Sequence, residues 1–445
     1  MGKVVSFAIT LWLITLPLLA SGSERFVDVI VVLDAATAPG EHASNKSHAA
    51  GIARSMGFNA RHAYGTALFG FAARIPEGRL NGLQHDPRIA YVDLDRQVSL
   101  PIPRSAGPRK CIDNPDARGC SKDDGTVDEP SGGQAIPWGI NRIGAGSNTN
   151  GGAGIHVYIL DTGIDSNHED LASNIGNGYD AVACSASRKT CKKTWDDDNG
   201  HGTHVSGTVG AVDNSTGVIG VAPNVTLHAV KVLNGSGSGR FSGVIAGIDW
   251  VTGQTLNLGS ATVANMSLSG SGSKSGSCTN NGFSGTDGFH EALCNARNAG
   301  VVFAVAAGNN GVDTENAIPG AYDDAVIAVS ATNASDDWPS WSNWGNNSAG
   351  WSGNLSVPVA LAAPGVTVLS TKMGGGTTEM NGTSMATPHV AGAIALYLAN
   401  NPQAANGTAF VNARTQLLST SEETAGFSNS SGHVHDEDFL NSGGL

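Results

Sequence analysis

The chain has 445 residues, 40% of them hydrophobic and only 14% charged, with 60 glycines. That length and apolar content exclude a disordered polypeptide and allow a large core in more than one domain. The formal net charge of −13 argues against nucleic acid or an anionic membrane surface as the main partner and suits a soluble protein rich in surface carboxylates.

Residues 1–22, MGKVVSFAITLWLITLPLLASG, carry one Lys and an apolar run ending in small residues. They read as a secretory signal cut near 20–23, which predicts a secreted, extracellular protein with no membrane attachment after cleavage. A membrane anchor is the alternative reading, and Pro17 and the small-residue exit favour cleavage.

Residues 24–98 read as a small α+β domain of ferredoxin-like type. FVDVIVVLDA is a strand, 43–56 a helix, GTALFGFAARI strand-like, 77–83 helical, and IAYVDLDRQVSL one closing strand. Residues 99–133 are rich in Pro, Gly and charge and read as a linker or N-terminal extension open to proteolysis.

From Gln134 onward the pattern changes. IHVYIL, LHAVKVL, ATVANMSL, VVFAVAA, AVIAVSA and VPVALAA are apolar β-branched runs, with helical stretches at 241–251 and 288–299 between them. Apolar strands alternating with helices predict an α/β domain over 134–445, a parallel sheet covered on both faces. In such sheets the site lies outside the carboxyl ends of the strands. The tail from Asn401 is polar, and its HVHDED reads as solvated surface.

Six cysteines, Cys111, Cys120, Cys184, Cys191, Cys278 and Cys294, in a secretory context read as disulfides. Pairing of sequence neighbours is simplest, and the sequence alone does not decide it.

Four polar residues fall at element ends near the expected site. Asp161 follows IHVYIL in DTGID, His201 opens a small-residue helix in NGHGTHVSGT, Asn309 ends VVFAVAAGNN, and Ser384 sits in NGTSMATPHVAG. Alone, each has an ordinary reading as a cap or a turn. His201 and His204 lack the glutamate of HExxH, and GTSMA lacks the second glycine of GxSxG. In NGTSMATPHVAG, Pro388 reads as the first turn of a helix that Ser384 or Thr387 caps.

Together these motifs, in the order Asp, His, Ser, closely resemble those of the subtilases, the subtilisin-like serine proteases, over 134–400. HAYGTALFGFAARI and DPRIAYVDLDRQV resemble that family's inhibitory propeptide. The resemblance implies a three-layer subtilisin-like catalytic domain, and a secreted endopeptidase made as a self-inhibited precursor. It implies Ser384 as nucleophile, His201 as general base and Asp161 as its orienting carboxylate. Asn309 would be an oxyanion donor beside the Ser384 backbone N–H.

Two segments, Gly237, Gly239 and Phe241 on one side and Ser267, Leu268, Ser269 and Gly270 on the other, would bind an extended peptide between them. Asp313 and Glu315, after Asn309, are either solvent-facing carboxylates or readers of basic side chains. A structural calcium would take Gln134, Asp170 and Asn214 through side chains, and Val212, Thr216 and Val218 through carbonyls; the plain alternative is an Asx turn. The expected partners are protein substrates and the chain's own propeptide, with the enzyme a monomer.

Overall fold

In the computed structural model, which describes residues 25–40, 42–101, 133–185, 191–345, 358–424 and 426–445, the first element is strand β1 (Phe26–Leu33). The signal segment, most of the linker, Cys111 and Cys120 lie outside the described residues. Helix α1 (His42–Ser55), β2 (Ala60–Tyr64), β3 (Gly70–Pro76), α2 (Leu80–Gln84) and β4 (Ile89–Leu94) follow. The strands form one antiparallel sheet in the order β2-β3-β1-β4, the ferredoxin-like arrangement expected from the element order.

The run DVIVVL in β1 is continuous rather than alternating because both faces of the sheet are covered. Val29, Val31 and Leu33 pack with Ala49, Ile52 and Ala53 of α1. Ile30 and Val32 enter a second core with Phe289 and Leu293 of the larger unit.

The closing strand divides into two. After β4 the chain turns through Asp95 and Arg96, and β5 (Gln97–Ser99) joins the larger unit, pairing antiparallel with β9 (Ser238–Arg240). Ser99, Leu100 and Pro101, expected to open a linker, continue this strand. Asp95 causes the break: its buried carboxylate accepts the Ser242 N–H at 2.9 Å and the Ser242 hydroxyl at 2.8 Å.

The larger unit is built on an eight-stranded parallel sheet. Its strands are β6 (His156–Asp161), β7 (Tyr179–Asp180), β8 (Thr226–Lys231), β10 (Thr262–Met266), β11 (Val301–Ala306), β12 (Ile327–Thr332), β13 (Leu361–Pro364) and β16 (Asp438–Phe439). Their order is β16-β13-β12-β11-β10-β6-β8-β7, with every neighbouring pair parallel. Alternate residues face opposite cores: Val157 and Ile159 lie in one, Tyr158 and Leu160 in the other.

Helices α3 (Trp138–Arg142), α4 (His201–Gly210), α7 (Thr383–Asn400) and α8 (Thr408–Thr420) accompany the first core. Helices α5 (Phe241–Leu258) and α6 (Gly288–Asn298) cover the second. This is the expected three-layer α/β architecture. A hairpin, β14 (Val368–Thr371) and β15 (Thr377–Met380), packs beside α4.

The tail departs from expectation. β16 adds to the sheet edge, and the HVHDED segment is not solvated throughout. Its His435 and Glu437 side chains are buried against Trp338, with His435 Nδ1 2.7 Å from Glu437 Oε1. A polar stretch can be buried where its groups pair with one another, which composition does not reveal. Disulfides join Cys184 to Cys191 and Cys278 to Cys294. No helix among the described residues is long and apolar enough to cross a membrane.

Candidate active site

Asp161 is the last residue of β6 and is fully buried. Helix α4 starts at His201, after Gly200 in a left-handed conformation, and its first turn lies against the end of β6. Gly202 makes that approach feasible, since a Cβ there would meet Gly163 O at 2.1 Å. The result brings His201 Nδ1 to 2.9 and 3.0 Å from the two Asp161 carboxylate oxygens. The Thr162 N–H also donates to Asp161 Oδ1 at 2.7 Å.

Asp197, fully buried, organises this corner. Its Oδ1 accepts from the Thr162 hydroxyl, Asn199 N–H and Gly200 N–H at 2.9, 2.9 and 3.0 Å. Its Oδ2 accepts from the Thr203 N–H and hydroxyl at 2.9 and 2.6 Å. One buried carboxylate thus ties the residue after Asp161 to both flanks of His201. Neighbouring Asp198 pairs with the buried Lys231 ammonium at 2.6 Å. His204 points away from His201, with its Nε2 3.0 Å from Val368 O and 3.1 Å from Thr378 O. Burial, followed by the nearby His201, pushes its pKa down to about 3, so it is a neutral packing group.

Helix α7 begins at Thr383 rather than near Pro388, so Ser384 stands inside its first turn. Pro388 falls in the second turn, where it lacks the N–H that would reach the Ser384 carbonyl. The Ser267 hydroxyl donates to that carbonyl instead, at 2.8 Å. The proline therefore frees the carbonyl that ties the Ser384 turn to the end of β10. His389 is buried in the same helix, and burial lowers its pKa to about 4.

Asn309 lies just beyond β11 and is fully buried. Its Oδ1 accepts from the Thr383 N–H at 2.9 Å and the Thr383 hydroxyl at 2.8 Å. An amide held through its oxygen must present its nitrogen the other way. That nitrogen donates to the Pro101 carbonyl at 2.5 Å. Gly382, at φ 151°, is needed here because a Cβ would come within 3.0 Å of Asn309 Nδ2. Thr383 belongs to the site, yet nothing in GTSMA distinguishes it from an ordinary helix-start threonine.

The chain's own residues 97–101 lie between the two segments expected to bind an extended peptide. Val98 is buried, and its strand pairs with Ser238, Gly239 and Arg240. Ser99 exchanges two backbone hydrogen bonds with Ser269, at 3.1 and 3.0 Å, and the Leu100 N–H donates to Gly237 O at 2.9 Å. Phe241 and Leu268 are buried in the same core as Val98, Ser267 directly follows the β10 end, and Gly270 pairs with Ile318. Asp313 caps a local turn by accepting the Glu315 N–H at 3.0 Å.

The small domain is anchored by buried polar contacts. Asp249 of α5 accepts the Gly65, Thr66 and Ala67 N–H groups at 3.1, 2.6 and 2.9 Å, and the Tyr64 hydroxyl donates to Ser242 O at 3.0 Å. Burial pushes the Asp249 carboxyl above the usual range, although those three donors pull the other way.

The six residues expected to hold calcium converge on one loop. Gln134 Nε2 donates to Val212 O at 2.6 Å and Val218 O at 3.0 Å, and its Oε1 accepts the Asn214 N–H at 3.0 Å. Asp170 accepts from Asn214 Nδ2 and from the Val218 N–H, both at 2.8 Å. Burial raises the Asp170 pKa. Asn214 also forms the Asx turn, accepting the Thr216 N–H at 2.7 Å.

Residues 152–434 match the model of the subtilase family. The extracellular serine proteinase of Thermus sp. (strain Rt41A) is 36% identical over 77% of this chain and 69% of its own length. That share is more than 134–445 contains, so the similarity continues upstream of Gln134. Subtilisin DY of Bacillus licheniformis is 42% identical over 60% of this chain and 86% of its own. A solved cold adapted subtilisin-like serine proteinase superposes with a TM-score of 0.54 at 35% identity, covering 68% of this chain and 97% of that one. With these matches and this arrangement of strand ends, the chain belongs to the subtilase family of serine endopeptidases.

Proposed function

We propose that the protein is a secreted endopeptidase made as a self-inhibited precursor, cutting peptide bonds with Ser384, His201 and Asp161. The observation that carries this reading is the Pro101 carbonyl, which lies on Asn309 Nδ2 beside Ser384 as a substrate carbonyl would.

Ser384 Oγ attacks a substrate carbonyl while His201 Nε2 takes its proton and later gives it to the leaving amine. Asp161 holds Nδ1–H, fixing the tautomer that leaves Nε2 free to accept, and stabilises the imidazolium that forms. Asn309 Nδ2 and the Ser384 N–H, at the positive end of the 18-residue α7, receive the oxyanion. Substrates bind as an added strand between Gly237 and Gly239 on one side and Ser267 and Ser269 on the other, held through backbone groups. On this reading the enzyme works as a monomer.

Residues 24–101 act as propeptide, with the small domain as clamp and 97–101 as the strand that fills the groove. The bond placed for cutting is Pro101–Ile102; Ile102 lies outside the described residues. Secretion agrees with the apolar leader, the two disulfides and the extracellular proteinase of Thermus.

The reading is tested by labelling the processed protein with a serine-directed fluorophosphonate. One label per chain is expected, on the peptide that contains Ser384. A peptidase that stays active without that label rules the mechanism out.

The calcium reading is supported by the donor set. A half-turn of the Gln134 amide would replace its nitrogen by an oxygen facing Val212 O and Val218 O. The cluster would then offer only oxygen ligands and the Asp170 charge, which fits a hard cation. Gln134, Asp170 and Asn214, with the Val212, Thr216 and Val218 carbonyls, would hold it and brace the loop. Bound calcium at a hundred times its Kd stabilises the fold by about 2.7 kcal/mol. A chelator is therefore expected to lower the melting midpoint in calorimetry, and an unchanged curve counts against the site.

A further inference from the structure

Along strand β5 successive N–H groups alternate between the two walls of the groove. The Ser99 N–H donates to Ser269 O on one wall, and the Leu100 N–H donates to Gly237 O on the other. In antiparallel pairing the N–H of residue 101 would return to the first wall, where Ser267 O lies two residues before Ser269. Residue 101 is a proline and has no N–H.

Ser267 O takes a different donor. The Ser384 hydroxyl points at it, 3.3 Å away. A hydroxyl carries a single proton, so donating it to Ser267 O withholds it from the His201 imidazole. Among the described residues no hydrogen bond joins His201 Nε2 to Ser384, although Nδ1 is fully engaged by Asp161. The oxyanion donor, meanwhile, is already on the Pro101 carbonyl. The strand is thus held as a substrate would be, while the nucleophile is turned aside.

We propose that Pro101 is a brake on self-cleavage: its missing N–H leaves the Ser267 carbonyl free to hold the Ser384 hydroxyl away from His201. This rests on the propeptide reading above and adds a regulator to it. The slowed step is hydrolysis of the Pro101–Ile102 bond. Ser384 Oγ bonds to the Pro101 carbonyl carbon as its proton passes to His201. The C–N bond then breaks, and His201 protonates the departing Ile102 nitrogen. Water hydrolyses the ester, restoring Ser384 and leaving a carboxylate on Pro101. A residue with an N–H at 101 would compete with that hydroxyl for Ser267 O, add one strand hydrogen bond and shift the hydroxyl toward the imidazole.

The test uses the purified full-length chain, followed from the onset of folding by gel mobility and N-terminal sequencing. Pro101→Ala and Pro101→Leu both restore the N–H with side chains of different size. Both are expected to convert about 2- to 10-fold faster than the parent, with the first cut after residue 101, since one hydrogen bond is worth about 0.5–1.5 kcal/mol. A parental rate in both variants, or a first cut elsewhere, overturns the brake. Peptide anilides ending in Val-Ser-Leu-Ala and Val-Ser-Leu-(N-methyl)Ala isolate the N–H itself, and equal rates for the two would also overturn it. Adding Ser384→Ala to Pro101→Ala separates the two claims: conversion that continues defeats the reading of Ser384 as nucleophile, whereas conversion that stops leaves the comparison of rates to decide the brake.

Discussion

Ser384→Ala is expected to lower kcat by about 10⁶-fold and to leave the full-length chain unprocessed, with residues 97–101 still in the groove. That magnitude was measured on subtilisin, a member of this family. The reason is chemical: alanine offers no atom to bond the carbonyl carbon, and the remaining groups only polarise it. The Asn309 amide and the α7 N-terminus would still sustain a small rate above water alone. The fold should be unaffected, because the Ser384 hydroxyl makes a single long contact, at 3.3 Å, with Ser267 O. Steady-state kinetics on a peptide anilide, with circular dichroism as a check of folding, decides the matter. Activity above about 1% of the parent would mean that another group performs the attack.

Asp161→Asn is the second large effect, a fall in kcat of about 10⁴-fold. Here geometry survives and chemistry does not. The carboxylate now takes His201 Nδ1–H through two oxygens. An asparagine can turn its NH₂ toward Nδ1, which then becomes the acceptor and moves the proton to Nε2. In that tautomer His201 cannot accept the Ser384 proton. The Thr162 N–H, which donates to Asp161 Oδ1, can still find the amide oxygen, so the corner should stay folded. The pH profile of kcat gives a sharper check than the rate alone. Activity should rise again at high pH, where hydroxide replaces the missing base. A variant within ten-fold of the parent at neutral pH would show that Asp161 does not set the tautomer.

Much of this was legible in the residues. Asp161 and Asn309 each follow an apolar run, His201 and Ser384 each open a helix of small residues, all four in glycine-rich stretches, and apolar strands alternating with helices announced a parallel sheet. Strand ends and the helix starts that follow them open on one edge of such a sheet, so the sequence already implied that these four remote residues lie together. Local patterns went wrong where a tertiary contact overruled them. IAYVDLDRQVSL looks like one strand, but the Asp95 carboxylate finds Ser242 at the start of α5, and the chain changes sheets there. NGTSMATPHVAG looks like a helix that opens near Pro388, but Ser267 supplies the hydrogen bond that the proline withholds, and the helix can begin at Thr383. HVHDED looks solvated, but His435 Nδ1 and the Ser330 hydroxyl both meet the Glu437 carboxylate in the interior.

The sequence by itself determined the family, the sheet and the identities of the four residues of the candidate site. These follow from short-range signals: a periodicity, a glycine that permits close approach, or a motif whose members lie within a few residues. Only the tertiary structure decided how those residues are held. Asp197 binds both flanks of His201, Thr383 aims the Asn309 amide, and Pro101 comes to rest on that amide from more than 200 residues away in the chain. Aspartate, threonine and proline are common at turns and caps, so nothing local sets these three apart. Their roles come from hydrogen bonds between distant segments, which exist only once the sheet has brought its strand ends together and the interior has excluded the water that would compete for them.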